Sequence, residues 1–313
     1  MELTKIKDKI LKFIEKNPNW VIFIVWPTAS WKTKLSIDLI ESWINSEVIS
    51  ADSRQIFRYM DIWTDKISKE IRNQIPHYLI DIINPDEFYT AADWKKDALK
   101  YVNLIQKSWK IPFIVGWTWL YTDTIYKNYS LPDAKPDFQF RKKLYDLEKK
   151  EPWILWKMLH KVDPQEASKL HPNSTRYIVR ALEIYEKTWK PKSQVCYEQP
   201  VPFPILLIIK RAEKEIANPK INKRIEEMFK EWLVDEVKNL LKMWYNESCQ
   251  WLQSIWYKEI IPYIKGEYNL DKAKELVKKH THQYAKKQRI FFRRYILDMK
   301  GKPKENVEYL LLE

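Results

Sequence analysis

A lysine and a threonine stand side by side at Lys32 and Thr33, separated by the loop "WPTASW" at 26–31 from a short β-branched run, "VIFIV" at 21–25. Such a pair suits a phosphorylated ligand: the lysine supplies a point charge, and the threonine hydroxyl is placed to ligate Mg2+. A phosphate cradle also needs backbone N–H groups that wrap the anion and a helix N-terminus aimed at it. The pattern G-x-x-x-x-G-K-[ST] fits at every position except the two that require glycine. These read Trp26 and Trp31, with Pro27, Thr28, Ala29 and Ser30 between them. The loop does not say which phosphate it holds, since kinases, ATPases and other transferases share it.

Two further segments place polar groups at the ends of β-rich runs. In "ISADSRQIF" Asp52 follows a second apolar run and faces the crevice where open α/β sheets bind ligands. A carboxylate there can take a proton from a nucleophile, although an isolated aspartate also serves as a turn or cap. Ser53, Arg54 and Gln55 crowd more polar groups beside it than a cap requires. In "IPFIVGWTWLY" Thr118 offers a hydroxyl at the end of another run, where an ordinary βα turn is the plainer explanation. His280 and His282, in "KKHTHQYAKKQ", lack cysteine or carboxylate companions at ligand spacing and read as part of a basic helix rather than a zinc site.

The elements that must position these groups alternate. β-rich runs at 21–25, 47–50, 78–81 and 112–115 are interleaved with helical periods near 32–42, 90–107 and 121–127, which predicts βαβ units and a parallel sheet. From 132 to 200 the sequence becomes charged and helix-forming, punctuated by Pro132, Pro136, Pro152, Pro164, Pro172 and Pro191. This reads as a helical insertion domain, 132–200, between core segments 1–131 and 201–313. "FPILLIIK" at 203–210 returns to the sheet as a buried strand, helices dominate thereafter, and "VEYLLL" near Val307 forms a last strand.

Composition bounds the partners. Hydrophobic content of 45% and charged content of 31% over 313 residues belong to a globular protein. No stretch approaches a membrane span, and the N-terminal helix is amphipathic rather than a signal peptide, so a cytoplasmic protein with no membrane partner is expected. Cys196 and Cys249 form no C-x-x-C pair and predict reduced thiols. The net charge of +13 concentrates near the end, with twelve Lys or Arg against three Asp or Glu from 271 to 304. A solvated helix face explains a charge run alone. Interleaved with Tyr284, Phe291, Phe292 and Tyr295, it looks more like a nucleic-acid surface.

Glycine is the anomaly. Average usage predicts about 22 glycines in a chain of this length, yet the sequence has only Gly116, Gly266 and Gly301, beside sixteen tryptophans. Many tryptophans sit where the backbone wants glycine. Trp109 and Trp189 fall at helix ends, Trp117 and Trp119 follow a β run, and Trp26 and Trp31 stand in the phosphate loop. A bulky residue in the left-handed conformation costs about 1–2 kcal/mol. The expectation is that most of these tryptophans stand for glycine, through UGA codons translated under the wrong genetic code. A genuinely tryptophan-rich protein is the alternative. Trp94, in the helix "AADWKKDALKYV", suits an authentic core aromatic, and Trp43 is ambiguous.

With glycine read at those positions, "WPTASWKT", "ISADSRQIFRYMDIWTDK", "PHYLIDIINPDEFYTAADW", "IPFIVGWTWLY", "VDPQEASKLHPNSTRYIVRALEIYEKTWK" and "LQSIWYKE" occur in the order found in bacterial tRNA dimethylallyltransferases, which prenylate adenosine 37 beside the anticodon. The chain resembles that family from about residue 20 to 294. The resemblance implies an α/β, P-loop NTPase-like sheet in which the loop holds the diphosphate of dimethylallyl diphosphate and ATP is not consumed. Lys32 and Thr33, with Mg2+ as cofactor, would neutralise the leaving diphosphate, and Arg224 matches a basic residue on it. Asp52 matches the general base, and Thr118 the threonine that assists it. Asp52, Ser53, Arg54 and Gln55, then Arg176, Tyr177 and Arg180, then Gln253, Ser254, Ile255, Trp256, Tyr257 and Lys258 match segments that touch the tRNA anticodon stem-loop. Tyr177 departs from the arginine that some members carry. A monomer is expected. The other readings are a small-molecule P-loop kinase using ATP and an RNA-binding protein without catalysis.

Overall fold

The computed structural model describes residues 2–25, 32–42, 44–210, 213–243, 245, 256–301 and 303–312, apart from the side chains of 2 and 32–34. The element order is α1 (Glu2–Lys16), β1 (Val21–Val25), α2 (Lys32–Glu41), β2 (Ser46–Ala51), α3 (Lys69–Gln74), β3 (His77–Tyr78), α4 (Ala91–Lys107), β4 (Ile111–Gly116), α5 (Trp119–Tyr126), α6 (Phe138–Lys150), α7 (Ile154–Val162), α8 (Pro164–Ala167), α9 (Thr175–Thr188), α10 (Lys192–Val195), β5 (Ile205–Lys210), α11 (Lys214–Lys230), α12 (Leu233–Lys242), α13 (Tyr257–Ile264), α14 (Leu270–Lys300) and β6 (Val307–Leu312). All strand pairs are parallel, in the order β3-β2-β4-β1-β5-β6. The fold is α/β, as expected.

The central strands are apolar on both faces because both faces are covered. α1 contributes Ile6, Ile10 and Phe13, and α2 contributes Leu39, to a layer with Ile22, Ile24, Val48, Phe113, Leu206 and Ile208. α4 packs on β2 and β4 and buries Trp94, Ala98, Val102 and Ile105, a helical spacing that lines one face. Its start is fixed by a capping box: Thr90 Oγ1 accepts the Asp93 N–H at 3.2 Å, and Asp93 accepts the Thr90 N–H at 2.9 Å. Such a cap contributes about 1 kcal/mol.

β3 is shorter than the pattern at 78–81 suggested. Leu79 and Asp81 take left-handed φ values of 63° and 56°, which turn the chain out of the ladder after Tyr78. The helix expected at 121–127 begins two residues earlier, at Trp119.

Residues 1–122 with 201–313 form one compact unit and 123–200 a second. In the second, Leu144, Leu155, Leu159, Ile178, Val179 and Leu182 make a separate core. Glu183, buried at its centre, accepts the Asp137 N–H at 2.7 Å and a two-pronged bond from Arg141 at 2.8 and 2.7 Å. In the first unit, the segment after β2 lays Ile56, Phe57 and Met60 on a third cluster, built by Ile221, Ile225, Leu233, Val237, Tyr257, Ile260 and Val277 of α11 to α14.

Candidate active site

Because the sheet is parallel, β1, β2 and β4 all end at the same edge, with Gly116 in register with both Val25 and Ala51. That carboxyl edge is where open α/β sheets receive ligands. A Cβ on Gly116 would lie 2.3 Å from Ala51 O, inside any possible contact, so glycine alone lets β4 leave the sheet this close to β2.

Asp52 is the first residue past β2 and is only 3% exposed. Its Oδ1 accepts the Arg54 N–H at 2.8 Å. Thr118 is fastened to the same segment: its N–H donates to Ala51 O at 3.1 Å, and its Oγ1 accepts the Ser53 N–H at 2.9 Å and donates to Ser53 Oγ at 3.2 Å. Gln55 accepts Ser50 Oγ at 3.0 Å and donates to the carbonyls of Thr64 and Asp65 at 3.2 and 3.3 Å. Arg224, from α11, places Nη1 3.3 Å from Asp65 Oδ2, while its buried Nε has no partner among the described residues. Asp52, Ser53, Arg54, Gln55 and Thr118 thus share one edge, and Arg224 joins them through Asp65.

Two tyrosines complete the surroundings of Asp52. Burial pushes the phenols of Tyr121 and Tyr284 well up, the Asp52 carboxylate adds to this, and the Arg54 guanidinium opposes it. Both stay protonated through the neutral range. Tyr121 lies one helical turn past Thr118, a spacing readable in the sequence, whereas Tyr284 arrives from α14 with no local signal. Trp94 backs the site by stacking on Tyr121 at 4.8 Å and donating its indole N–H to Ser50 O at 2.9 Å.

The remaining expected site residues divide. Trp26, Pro27, Thr28, Ala29, Ser30, Trp31, Gln253, Ser254 and Ile255 lie outside the described residues, and Lys32 and Thr33 are placed as the first residues of α2 without their side chains. In the second unit, α9 carries Arg176 and Tyr177 exposed, with Arg180 held at 2.5 Å to Glu183.

Two stretches expected to meet RNA carry buried side chains. Tyr257 is fully buried with its hydroxyl on Glu236 at 2.8 Å, and Trp256 is 6% exposed with its indole N–H on Thr281 at 2.6 Å. Both are core residues, and of that trio only Lys258 is exposed. On α14, Phe292 and Tyr295 also face inward, and the exposed side is made by Lys286, Lys287, Arg293 and Arg294. Helical periodicity thus turns two of the four aromatics inward, while Phe291 stays half-buried with the Arg294 guanidinium 4.1 Å over its ring. His280 Nδ1 lies 2.5 Å from Glu259 Oε1 as a hydrogen-bond partner.

Comparison with known proteins agrees with this layout. A family model described as IPP transferase matches residues 55–295. The tRNA dimethylallyltransferase of Thermotoga neapolitana is 42% identical over 269 residues, which covers 86% of this chain and 88% of that protein. The solved tRNA delta(2)-isopentenylpyrophosphate transferase of Staphylococcus epidermidis is similar with a TM-score of 0.64 at 37% identity, over 94% of this chain and 93% of that one. A eukaryotic dimethylallyltransferase acting on tRNA, seen in crystallographic snapshots, gives a TM-score of 0.73 at 28% identity, over 93% of this chain and 73% of that one. Since the family model runs through well over half of the sequence and the Thermotoga relative aligns with most of it, this chain belongs to the IPP transferase family.

Proposed function

We propose that the protein is a tRNA dimethylallyltransferase, which moves the dimethylallyl group of dimethylallyl diphosphate to N6 of adenosine 37 and releases diphosphate. The observation that carries this reading is the buried Asp52 at the sheet's carboxyl edge with Thr118 bonded beside it, in a chain of this family. The adenine N6 attacks the allylic carbon, the C–O bond breaks with its electron pair leaving on the diphosphate, and the N6 proton passes to the Asp52 carboxylate. The N–H groups of 26 and 28–31, the Lys32 ammonium and Arg224, whose buried Nε has no partner among the described residues, would take up the charge that develops on the leaving group. Among the described residues no group of three or more His, Cys, Asp or Glu could hold a metal. A cation here would therefore draw mostly on phosphate oxygens and water beside the Thr33 hydroxyl, a donor set that suits Mg2+. Bound there, Mg2+ would neutralise part of the diphosphate charge.

Adenosine 37 must leave the anticodon-loop stack to reach this edge. Ser53, Arg54, Gln55 and Lys258, with 253–255, are proposed to meet the RNA, as are Arg176, Tyr177 and Arg180 of the helical insertion. The protein would act as a monomer in the cytoplasm. No helix among the described residues is long and apolar enough to cross a membrane.

The same reading takes most tryptophans as glycine in the native protein. Trp109, Trp153, Trp189, Trp232 and Trp256 all sit at left-handed φ, from 54° to 89°, where an indole is strained and glycine is not. Trp109, Trp189 and Trp232 are 89, 76 and 72% exposed, so their rings gain little from packing. Trp94 is different: it is wholly buried, uses its indole N–H and lies inside α4 at helical φ, whereas Trp256, though buried with its indole N–H on Thr281, sits at a φ of 89°. Trp156 also donates its indole N–H, to the carbonyls of Ala167 and Leu170.

The test uses the full-length protein with glycine at 26 and 31, radiolabelled dimethylallyl diphosphate and an anticodon stem-loop carrying A36-A37-A38. Label on the RNA is expected, at A37. Absence of label at every Mg2+ concentration removes the reading, and γ-phosphate transfer from ATP would replace it with a kinase.

A further inference from the structure

The segment that follows Asp52 is gripped from α12 by a carboxylate that the proposed reaction does not use. Glu236 Oε2 accepts the N–H groups of Asp61 and Ile62, each at 2.7 Å. Its Oε1 accepts the Tyr257 hydroxyl at 2.8 Å and takes a longer, 3.4 Å bond from the N–H of residue 63. Three successive backbone donors thus converge on one side chain. Burial pushes the Glu236 carboxyl up, and the bonds from Ile62, Tyr257, Asp61 and residue 63 pull against that shift.

Immediately beyond the gripped residues the chain turns to the site. The carbonyls of Thr64 and Asp65 accept the Gln55 amide, and the Asp65 carboxylate meets Arg224. On the other side, Lys66 Nζ donates to Phe57 O at 2.8 Å and to Asp61 and Asp81 at 2.5 and 2.6 Å. Lys66 therefore ties the strap back toward the exit of β3, and Glu236 ties it to α12 and, through the Tyr257 hydroxyl, to α13.

We infer that Glu236 is a positioning residue for the transfer reaction: by holding the N–H groups of 61–63 it sets the place from which residues 64 and 65 hold Gln55 and Arg224. The inference rests on the proposed function for its chemistry, but the grip is made by main-chain groups and is the same whether residue 63 carries an indole or no side chain. Removing the carboxylate leaves the three backbone N–H groups and the Tyr257 hydroxyl without this acceptor, and the strap must shift to find water. Gln55 and Arg224 then lose their fixed partners. Glutamine at 236 keeps an oxygen for the two short N–H bonds and can donate to the Tyr257 hydroxyl, so it should restore most of the effect.

The experiment compares the parent protein with glycine at 26 and 31, taken as wild type, with its Glu236→Ala and Glu236→Gln variants in two assays on the full chain: prenyl transfer kinetics, and pyrophosphate affinity by calorimetry, with thermal melting to confirm folding. For Glu236→Ala a drop of about tenfold or more in kcat/KM and a weakening of pyrophosphate of about tenfold are expected. Glu236→Gln should stay within about threefold of wild type in both. Should the alanine variant fail to fold, Glu236→Asp, which withdraws the carboxylate by one methylene, is expected to give the same losses in smaller measure. A folded alanine or aspartate variant with wild-type kinetics and pyrophosphate affinity overturns the inference. So does a glutamine variant that loses as much as alanine. If the wild type transfers nothing to RNA, the functional reading fails instead, and the pyrophosphate arm still reports on the strap.

Discussion

Thr118 Oγ1 accepts the Ser53 N–H at 2.9 Å, which locks the turn after β4 to the residue beside Asp52. One hydroxyl thus fixes where the proposed base stands relative to β4. Thr118→Val keeps the shape and removes the acceptor. The expected outcome is a kcat lowered by about tenfold or more, with Thr118→Ser close to wild type, measured under saturating substrates.

Asp52→Ala removes the proposed proton acceptor. Transfer is expected to fall by a factor of about 100 or more, while affinity for the stem-loop, read by filter binding, changes little. Full kcat in this variant would falsify the base assignment.

Lys286 and Lys287 lie on the exposed face of α14. Reversing both to glutamate should weaken tRNA binding and flatten the slope of log affinity against log salt by about one for each phosphate no longer neutralised. Pyrophosphate affinity should be unchanged.

Glu183 sets the acid stability of the helical insertion. Burial alone would raise its pKa, but Arg141, the Asp137 N–H and Arg180 hold the carboxyl below the ordinary 4.5. The folded state therefore binds fewer protons than the unfolded state as pH drops, so this contribution is full above about 4.5 and is lost as pH falls through the depressed value. Glu183→Ala strands Arg141 and should cost the insertion about 3–5 kcal/mol at neutral pH. Urea melts at pH 7 and below pH 4 should show that cost shrinking in acid.

The tryptophans make opposite predictions by position. In a chain made with tryptophan, Trp109→Gly, Trp189→Gly and Trp232→Gly should each stabilise by about 1–2 kcal/mol, whereas Trp94→Gly should cost about 3–5 kcal/mol. Urea melts give the stabilities, and mass spectrometry of the native protein decides which residues are real.

How far the sequence could be read depended on whether the signal was local. β1 announced itself through five consecutive apolar residues, and α4 through Thr90 and the spacing of its buried face. The end of β3 did not, because left-handed turns at Leu79 and Asp81 leave no periodic trace and use neither glycine nor proline. Asp52 and Thr118 were legible as strand-end polar residues, but their shared bond through Ser53 was not. The burial of Tyr257 was not legible, because a motif gives residues in order while the helix start decides which of them face the core: Trp256 and Tyr257 inward, Lys258 outward. Glu236 gave no sign at all: apart from the Tyr257 hydroxyl its partners are main-chain donors distant in sequence, and a backbone N–H has no letter.

The ends of the helical insertion are stitched together. Ser130 N–H donates to Tyr197 O at 2.9 Å, Asn128 Nδ2 to Pro200 O at 2.7 Å, and Gln199 N–H to Lys127 O at 3.3 Å. To the polypeptide on either side, seventy-odd residues therefore have the footprint of one hairpin bend. Selection can lengthen, trim or resurface that appendage without reopening the strand order.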